Sequence, residues 1–252
     1  MRSLFRLEGG LFHPLPFAAS PGAVECQSSA AVAGLLAREI ELATALAPLW
    51  LARLTVEAPR AVPMAPVATR TRVLRDGKQL QLIQAELTID GELFADAIGL
   101  RVRKGDSPYD AAAPHGLGGP DAVSGAPPFG VFGHDGPTRI RMVGGPSYDA
   151  FAYWALCEAG LVEGESATTV VRAVMACDAA AAMSRNARGE AACPGVDLSL
   201  YLARAPSGGW ILAQNEAEHA DPSCGLVSSL LSDSDGAFGY AHQTLLYAHA
   251  AD

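Results

Sequence analysis

The sequence predicts an α+β protein of two tandem units fused in one chain, each an antiparallel sheet wrapped around a central helix. Three observations support this prediction. Both halves contain a long run of alternating residues with an Asp-Gly turn, a strong signal for a β-hairpin. An Ala-rich helix candidate precedes that run in each half, which indicates an internal repeat whose unit has about 110 residues, the scale of a small domain. A helix enclosed by a sheet must be slim and apolar on most sides, which explains its alanines and glycines.

The first half presents these elements in a clear order. Residues 28–46, SSAAVAGLLAREIELATAL, are a helix candidate whose two serines are suited to cap its start. The strand candidate WLARLTVEAPRAVP follows, and its prolines indicate a strand end or edge. Three alternating runs then form a meander over residues 67–104, joined at Asp76-Gly77 and Asp90-Gly91. We predict that residues 1–104 form the first domain.

Residues 105–137 have a different texture, rich in Gly, Pro and Ala and without a period, which is typical of an interdomain linker. The second domain is predicted over residues 138–252. Its order matches that of the first: a helix candidate, SATTVVRAVMACDAAAAMSRNA, precedes the strand candidate GVDLSLYLARAP. A second meander follows, made of GWILAQNEAE, CGLVSSLLSDS and GAFGYAHQTLLYA, with Asp235-Gly236 in its last turn.

Composition excludes several classes of protein. Half of the 252 residues are hydrophobic and 18% are charged, so a substantial core is expected. The formal net charge of -9 argues against broad electrostatic binding to nucleic acid. The sequence contains no run of about 18 apolar residues, so no membrane span is predicted. The first residues, MRSLFRLEGG, lack the apolar core of a secretory signal, so a cytoplasmic location is expected by default.

The cysteines and histidines predict neither a disulfide framework nor a metal site. The five cysteines are odd in number and widely spaced, so reduced and mostly buried thiols are expected. The six histidines form no metal-binding spacing. The glycines in HGLGGP are not a dinucleotide fingerprint, because no strand precedes them and Pro120 follows. No cofactor is predicted.

The shared order of several phrases resembles the type II acyl-CoA thioesterase family, whose chains carry two fused hot-dog domains. The phrases cover nearly the whole chain except the linker and the extreme N-terminus, and they are RLTVEAPRAVPMAP, VLRDGKQLQLIQAELTIDGELFADA, GPSYDAFAYW, LVEGES, RAVMACDAA, VDLSLYLARAPSGGW and SLLSDSDGAFGYAHQTLLY. The resemblance implies a double hot-dog fold and hydrolysis of the thioester of an acyl-CoA substrate. A double hot-dog already contains the paired sheets that single-domain relatives obtain by dimerising, and exposed sheet faces or edges would allow a homo-oligomer.

The same resemblance implies where the water-activating residues lie. The family uses an Asp from the C-terminal hot-dog helix, a Thr, Ser or Asn from the following strand, and a Gln near the end of the last strand. The matching positions are Asp178, Gly195 and Gln243. Gly195 departs from the pattern, because glycine has no side chain with which to orient a water. Ser199 is a candidate substitute, although it lies four residues further along the strand.

Asp178 and Gln243 also stand out in the sequence itself. Asp178 is the only charged residue between Arg172 and Arg185, among small neighbours, and a desolvated carboxylate can act as a general base. An exposed helix edge or an ion pair with an arginine is the alternative. Aligning Asp90-Gly91 with Asp235-Gly236 places the apolar Ile98 opposite Gln243, which predicts that Gln243 faces inward.

By alternation along the strand, Gln243 shares its face with Ala241 and Leu245, whereas His242 points to the other face and is expected to be structural. A buried Gln must find hydrogen-bond partners. These are either groups of a pocket or, in the alternative, the backbone and the neighbouring hairpin.

Two functions of different classes therefore remain in competition. The first is a thioesterase that hydrolyses a fatty or related acyl-CoA through a water activated by Asp178 and Gln243. The second is a hot-dog protein that binds acyl-CoA or lipid with weak or no hydrolysis, which Gly195 motivates. The chain lacks the Asp-and-His loop of hot-dog hydratases and a G-x-S-x-G motif. The candidates for contacts with CoA phosphates are Arg53, Arg60, Arg75, Arg101, Arg172 and Arg204.

Overall fold

A computed structural model of the protein describes residues 2–21, 23–105, 116–123, 137–143, 151–187, 197–220 and 224–246. The side chains of residues 178, 180–187 and 216–220 lie outside this description. Within it, the chain contains fifteen strands, two α-helices and two short 3-10 helices.

The elements of the first half, in chain order, are β1 (Ser3–Glu8), β2 (Leu11–Pro14), a 3-10 turn (Pro16–Ala18), β3 (Ala19–Ser20), β4 (Ala23–Gln27), α1 (Ser29–Leu42), β5 (Leu49–Glu57), β6 (Ala68–Arg75), β7 (Leu80–Ile89) and β8 (Glu92–Arg103). Those that follow are a 3-10 turn (Pro120–Ala122), β9 (Thr138–Val143), β10 (Ala152–Cys157), β11 (Gly160–Val162), α2 (Thr169–Ala187), β12 (Asp197–Leu202), β13 (Trp210–Ala220), β14 (Cys224–Asp233) and β15 (Gly236–Leu246).

Ten of the strands form one antiparallel sheet in the order β6-β7-β8-β5-β12-β15-β14-β13-β10-β9. The junction between the halves is the pair β5 and β12, in which Thr55 is in register with Ser199. The expectation of two tandem sheets is thus refined, since backbone pairing between β5 and β12 joins the strands of both halves into a continuous sheet.

The internal repeat predicted from the sequence is present in the strand order. Starting from the junction, the first half runs β5-β8-β7-β6 and the second runs β12-β15-β14-β13. Both predicted Asp-Gly turns of the first meander connect their strands, β6 to β7 and β7 to β8. Because the same connections recur on both sides, each residue near the junction has a counterpart in the other half.

The two helices pack against each other and against the sheet, α1 on strands of the first half and α2 on strands of the second. Small residues allow this close packing. A Cβ added at Gly34 in α1 would meet the Met175 side chain of α2 at 2.9 Å. Each helix begins with a hydroxyl cap: Ser28 Oγ accepts from the Ala31 N–H, and Thr168 Oγ1 accepts from the Val171 N–H. The prediction that both helices are slim, apolar and buried on most sides is confirmed over the described side chains.

The N-terminal segment crosses from the first half to the second. Strand β1 pairs with β2 in the antiparallel sense and with β11 in the parallel sense, for example Phe5 with Val162. Leu4 and Phe5 are fully buried there. Gly9-Gly10 forms the two-residue turn between β1 and β2, a local hairpin signal, but nothing in this segment indicates its contact with the second half, so the sequence did not predict that contact.

Part of the predicted linker is packed on the second half. The Trp154 indole N–H donates to the carbonyl of Gly118 at 3.0 Å, and Arg141 binds both the Asp121 carboxylate and the Pro120 carbonyl. Leu117 packs with Trp154 on a small apolar cluster outside the main core. Residues 116–123 therefore belong structurally to the second half, while residues 106–115 and 124–136 lie outside the described part of the chain.

None of the four described cysteines forms a disulfide, and Cys157 and Cys177 are buried. Burial raises the pKa of the Cys157 thiol to about 11, so this thiol stays neutral at physiological pH. Cys224 is exposed, and Cys193 lies outside the described residues. Among the helices described, none is both long enough and apolar enough to cross a membrane.

Candidate active site

A narrow pocket opens where the first turn of α1 meets α2 and the ends of the central strands. Its lining is mostly apolar, with three polar residues, and comprises Ser29, Val32, Ala33, Val56, Ala58, Val174, Asp197, Leu198 and Gln243. The centre of a water molecule can reach a volume of ≈ 20 Å³ within it. About 10–15 Å³ of such volume is enough for one water, so the pocket has the size of a site for an ordered water.

Gln243 is the polar side chain of β15 that faces this pocket. The residue is 3% exposed and lies on the inward face with Ala241 and Leu245, as the alternation predicted. Among the described residues, no side-chain hydrogen bond reaches its amide, so the alternative of a Gln satisfied by the neighbouring hairpin is not supported. A buried amide without a protein partner requires a water or a ligand to satisfy it.

The counterpart of Gln243 in the first half is Gly99, and the alignment with Ile98 was wrong by one residue. In the first hairpin Ile89 pairs with Glu92, so Asp90 and Gly91 form the turn. In the second hairpin Asp233 pairs with Gly236, so Gly236 already belongs to the strand. The pairings with the junction strands agree with this correction, since Leu54 faces Gly99.

Gly99 also faces inward, but its space is filled. A Cβ added there would meet Ile40 of α1 at 2.5 Å and Leu51 at 3.1 Å. The inference that this position turns toward the helix was therefore correct. The residue at this position is Gly99 and not Ile98. The Asp-Gly pair is a reliable sign of a hairpin but does not state which of its residues begins the strand.

The N-terminus of α1 forms another wall of the pocket through Ser29, Val32 and Ala33. The first N–H groups of a helix lack acceptors within the helix, and the helix dipole adds a partial positive charge at this end. Both effects favour an oxygen that carries or gains negative charge. From the sequence, α1 was expected only to pack in the core, although the serine cap of an apolar helix was a signal for such an end.

Asp178 lies within α2, one helical turn after the pocket residue Val174. Residues four apart occupy the same face of an α-helix, so the backbone places Asp178 on the stripe that includes Val174. Its side chain is outside the described part of the structure, as is the whole of Gly195. Their assigned roles therefore stay predictions.

Ser199, the candidate substitute for the missing hydroxyl, lies on the opposite face of the sheet. It is in register with Thr55 and His242, and it alternates with the inward-facing Leu198 and Leu200. Since side chains of neighbouring strand residues point to opposite faces, the Ser199 hydroxyl is directed away from the pocket of Gln243. The structure does not bring these two residues together.

His242 occupies the same outer face, as predicted. Its ring stacks on Tyr240 with a centroid distance of 6.4 Å, and its Nδ1 forms a hydrogen bond with Ser228 Oγ at 3.0 Å. These contacts give His242 a structural environment on the far side of the sheet from Gln243.

Asp197 borders the pocket, a role that was not predicted from the sequence. Its Oδ1 accepts the backbone N–H of Thr244 at 2.6 Å, and it lies in register with Glu57 of β5. Burial, with Asp197 and Asp96 nearby, raises the pKa of the Glu57 carboxyl. The sequence signal that could have identified Asp197 is an acidic residue at the start of an otherwise apolar, alternating strand.

Three of the arginine candidates for phosphate binding are engaged within the protein. Arg101 donates to the Ala43 carbonyl at the C-terminus of α1, and burial lowers its pKa. Arg204 binds the Asp233 carboxylate through two hydrogen bonds of 2.7 Å each. Arg60 pairs with Glu92 at the surface.

Comparison with known protein families identifies the family of the chain. The acyl-CoA thioesterase N-terminal domain matches residues 23–102, and the acyl-CoA thioesterase C-terminal domain matches residues 111–247. Together they cover most of the sequence, so the chain belongs to the acyl-CoA thioesterase family. No curated protein matches the chain in sequence.

Solved structures share the fold over nearly the full length. A provisionally assigned thioesterase II from Thermobifida fusca has a TM-score of 0.76 at 13% identity, covering 97% of this chain and 95% of its own. A hot-dog protein from Alicyclobacillus acidocaldarius has a TM-score of 0.73 at 14% identity, with coverages of 98% and 96%. The acyl-CoA thioesterase II TesB2 from Mycobacterium marinum has a TM-score of 0.67 at 13% identity, with coverages of 98% and 96%. At these identities the similarity establishes the hot-dog fold alone.

Proposed function

We propose that the protein is an acyl-CoA thioesterase that hydrolyses a fatty or related acyl-CoA through a water activated by Asp178 and Gln243. The observation that carries the proposal is the buried Gln243 amide, which faces a pocket of water size and has no partner among the described side chains. A water bound there would satisfy the amide. It would also lie beside the helix terminus that favours negative charge on an oxygen.

In the proposed mechanism, each of three groups has a separate task. Asp178 acts as the general base that removes a proton from the water, which then attacks the thioester carbonyl carbon. Gln243 holds that water through its amide. The N–H groups at the start of α1 stabilise the negative charge that forms on the carbonyl oxygen. The tetrahedral intermediate then collapses, the carbon–sulfur bond breaks, and CoA leaves as the thiolate and takes up a proton.

The position of Asp178 in α2 supports its role. Val174 lines the pocket, and Asp178 follows it on the same helical stripe one turn later. A carboxylate with several alanines around it loses hydration, which strengthens it as a base.

A second function is motivated by Gly195. Without a hydroxyl at that position, the pocket has one group fewer to orient a water, and the protein would then bind an acyl-CoA or lipid with weak or no hydrolysis. The family membership agrees with both functions, because it identifies the ligand class and not the rate.

An assay of free-thiol release from acyl-CoAs of several chain lengths tests the proposal. We expect wild type to hydrolyse at least one of them, and Asp178→Asn and Gln243→Ala to lower kcat by about 10²–10³-fold, the loss typical of a missing group in such a site. Gln84→Ala is the matched control, since Gln84 lies on β7 and accepts from Arg72 away from the pocket. It is expected to keep the wild-type rate.

Two outcomes would redirect the assignment. Wild type that binds acyl-CoA but releases no thiol at any chain length supports the binding protein. Full activity in both pocket variants would show that hydrolysis occurs through other residues. The variant Gly195→Thr separates the functions further, because a large gain in rate would identify an impaired hydrolytic site.

A further inference from the structure

A carboxylate holds the backbone beside Gln243. The Asp197 Oδ1 accepts the N–H of Thr244 at 2.6 Å. That nitrogen belongs to the peptide bond between Gln243 and Thr244, so the contact restrains the backbone on the C-terminal side of Gln243. Hydrogen bonds to an ionised acceptor are shorter and stronger than those between neutral groups.

The orientation of the Gln243 amide depends on this backbone. The side chain has several rotatable bonds, and within the described structure no side-chain hydrogen bond fixes its end. Its direction is therefore set by the position of its own Cα and by the apolar walls of the pocket. Asp197 shares the face of Ser199 by alternation, but it is the first residue of β12 and also borders the pocket, so the restraint acts at the edge of the pocket.

The first half of the molecule has no carboxylate at the position equivalent to Asp197. The residue equivalent to Asp197 is Arg53, since Arg53 pairs with Tyr201 as Asp197 pairs with Glu57. Arginine has no acceptor, and the ladder between β5 and β8 shifts its register between Leu51 and Arg53. In that half the position of Gln243 is Gly99. The acceptor and the glutamine are thus both present in one half and both absent from the other.

We propose that Asp197 is a positioning residue of the hydrolytic site, which directs the Gln243 amide at the water by holding the peptide bond that follows it. The inference rests on the proposed function. It assigns to Asp197 a task that acts through Gln243, without contact with the substrate.

Asparagine and alanine at position 197 separate this role from a requirement for charge. Asp197→Asn retains an oxygen acceptor for the Thr244 N–H, whereas Asp197→Ala removes it. We expect Asp197→Ala to lower kcat about tenfold, equivalent to about 1.4 kcal/mol in the barrier, with KM little changed. Asp197→Asn should recover most of the wild-type kcat. Rates are measured well below the melting temperature of each variant, so that loss of folded protein does not contribute.

A double-mutant cycle with Gln243→Ala tests whether the two residues act together. If Asp197 works through Gln243, adding Asp197→Ala to Gln243→Ala causes little further loss in kcat. Independent, multiplying losses would overturn the inference, as would an Asp197→Asn variant as slow as Asp197→Ala. Full activity in Gln243→Ala would instead contradict the proposed site.

A spectroscopic readout applies even to a protein that does not hydrolyse or to an alanine variant that does not fold. The side-chain NH₂ signals of Gln243 in NMR spectra report the environment of its amide. We expect them to shift in Asp197→Ser, whose shorter side chain cannot reach the Thr244 N–H, and to stay close to wild type in Asp197→Asn. Unchanged signals in the serine variant would overturn the positioning role. An inactive wild type with the expected shifts would overturn only the proposed function.

Discussion

The two halves of the sheet have the same strand order but use equivalent positions differently. On the inward face next to the junction, the second half has Gln243 and the first half has Gly99, filled by Ile40. Counting from the helix caps Ser28 and Thr168, the equivalent of Asp178 is Arg38, which is paired with Glu39 and Glu165. At the strand position one half thus has a polar side chain that faces a pocket and the other is filled by packing, and the helix position of the first half carries ion pairs.

This difference shows how a repeated fold can confine chemistry to one place. The first half still contributes to the site, because the N-terminus of α1 and the strand residues Val56 and Ala58 line the pocket of Gln243. A polar group at Gly99 would require space that the core of the first half does not have. The asymmetry lies on the inward face of the strands, where Gly99 is covered by Ile40 whereas Gln243 borders a pocket.

The largest effect on stability is expected at Gly239, the counterpart of Ala95. Strand β12 extends to Leu202 beside Gly239, and a Cβ there would overlap the Tyr201 carbonyl oxygen. Since backbone cannot yield as a side chain does, Gly239→Ala should lower the free energy of unfolding by about 3 kcal/mol. The reverse change Ala95→Gly should cost only about 1 kcal/mol. Urea denaturation measures both, and equal losses would mean that the two hairpins are equally crowded.

Arg204 and Arg60 occupy equivalent positions, each over a phenylalanine ring. Arg204 binds Asp233, whose side chain is 0% exposed, whereas Arg60 binds Glu92 at the surface. Arg204→Ala should therefore destabilise by about 2–3 kcal/mol, and Arg60→Ala by less than about 1 kcal/mol.

The Arg204 contact also has a defined pH dependence. Burial opposes ionisation of Asp233, but hydrogen bonds from Arg204 and from the N–H groups of Ser207 and Asp235 outweigh it and lower its pKa. The stability from a depressed carboxyl pKa is present above the unfolded pKa and is lost as the pH falls through the folded one. The difference between wild type and Arg204→Ala should thus shrink below about pH 4. A difference that persists at low pH would assign the effect to packing on Phe238.

Alanine substitutions at the equivalent positions Gly99 and Gln243 test whether the first serves packing and the second serves catalysis. Gly99→Ala should destabilise by about 1–2 kcal/mol, because Ile40 must move, while thiol release by the folded protein stays unchanged. Gln243→Ala should do the opposite, with kcat reduced and the melting temperature nearly unchanged. Thermal unfolding and the thiol assay on the same preparations give the comparison. A loss of kcat in Gly99→Ala would show that the first half takes part in catalysis at this position.

The smallest expected effect is a gain in stability from Glu57→Gln. Burial, Asp197 and Asp96 raise the pKa of Glu57, so its ionised form is unfavourable in the folded protein. At pH 7 the substitution should stabilise by about 0.5 kcal/mol, the scale of exposed charge interactions. The gain should disappear near pH 3, where the wild-type carboxyl is protonated. No gain at pH 7 would mean that solvent screens these carboxylates fully. The equivalent residue in the second half is Tyr201, which has no such charge.

Much of the fold could be predicted because its signals are local. Asp-Gly turns between alternating runs place the hairpins, and Ser or Thr before an apolar helix places the caps of α1 and α2. The parallel contact of β1 with β11 could not be predicted, since it joins segments far apart in sequence and carries no turn signal. Predictions that no observation here tests are the domain boundaries at 104 and 138, the cytoplasmic location and a homo-oligomer.

The candidate site was predictable only in part. Alternation alone placed Gln243 inward and His242 outward, because strand side chains alternate by geometry. The register between the halves depended on a turn that differs by one residue, and so the counterpart was misidentified as Ile98. The outward direction of Ser199 depended on its pairing with Thr55 and His242.

By itself, the sequence determined the repeated unit of a helix and a meander, the buried character of both helices and the inward face of β15, since periodicity and turn chemistry are properties of neighbouring residues. Only the tertiary structure decided that the two units share a continuous sheet, that α1 closes the pocket of Gln243, and that Asp197 holds the adjoining peptide bond. Each of these depends on which distant backbone groups pair across β5, β12 and β15.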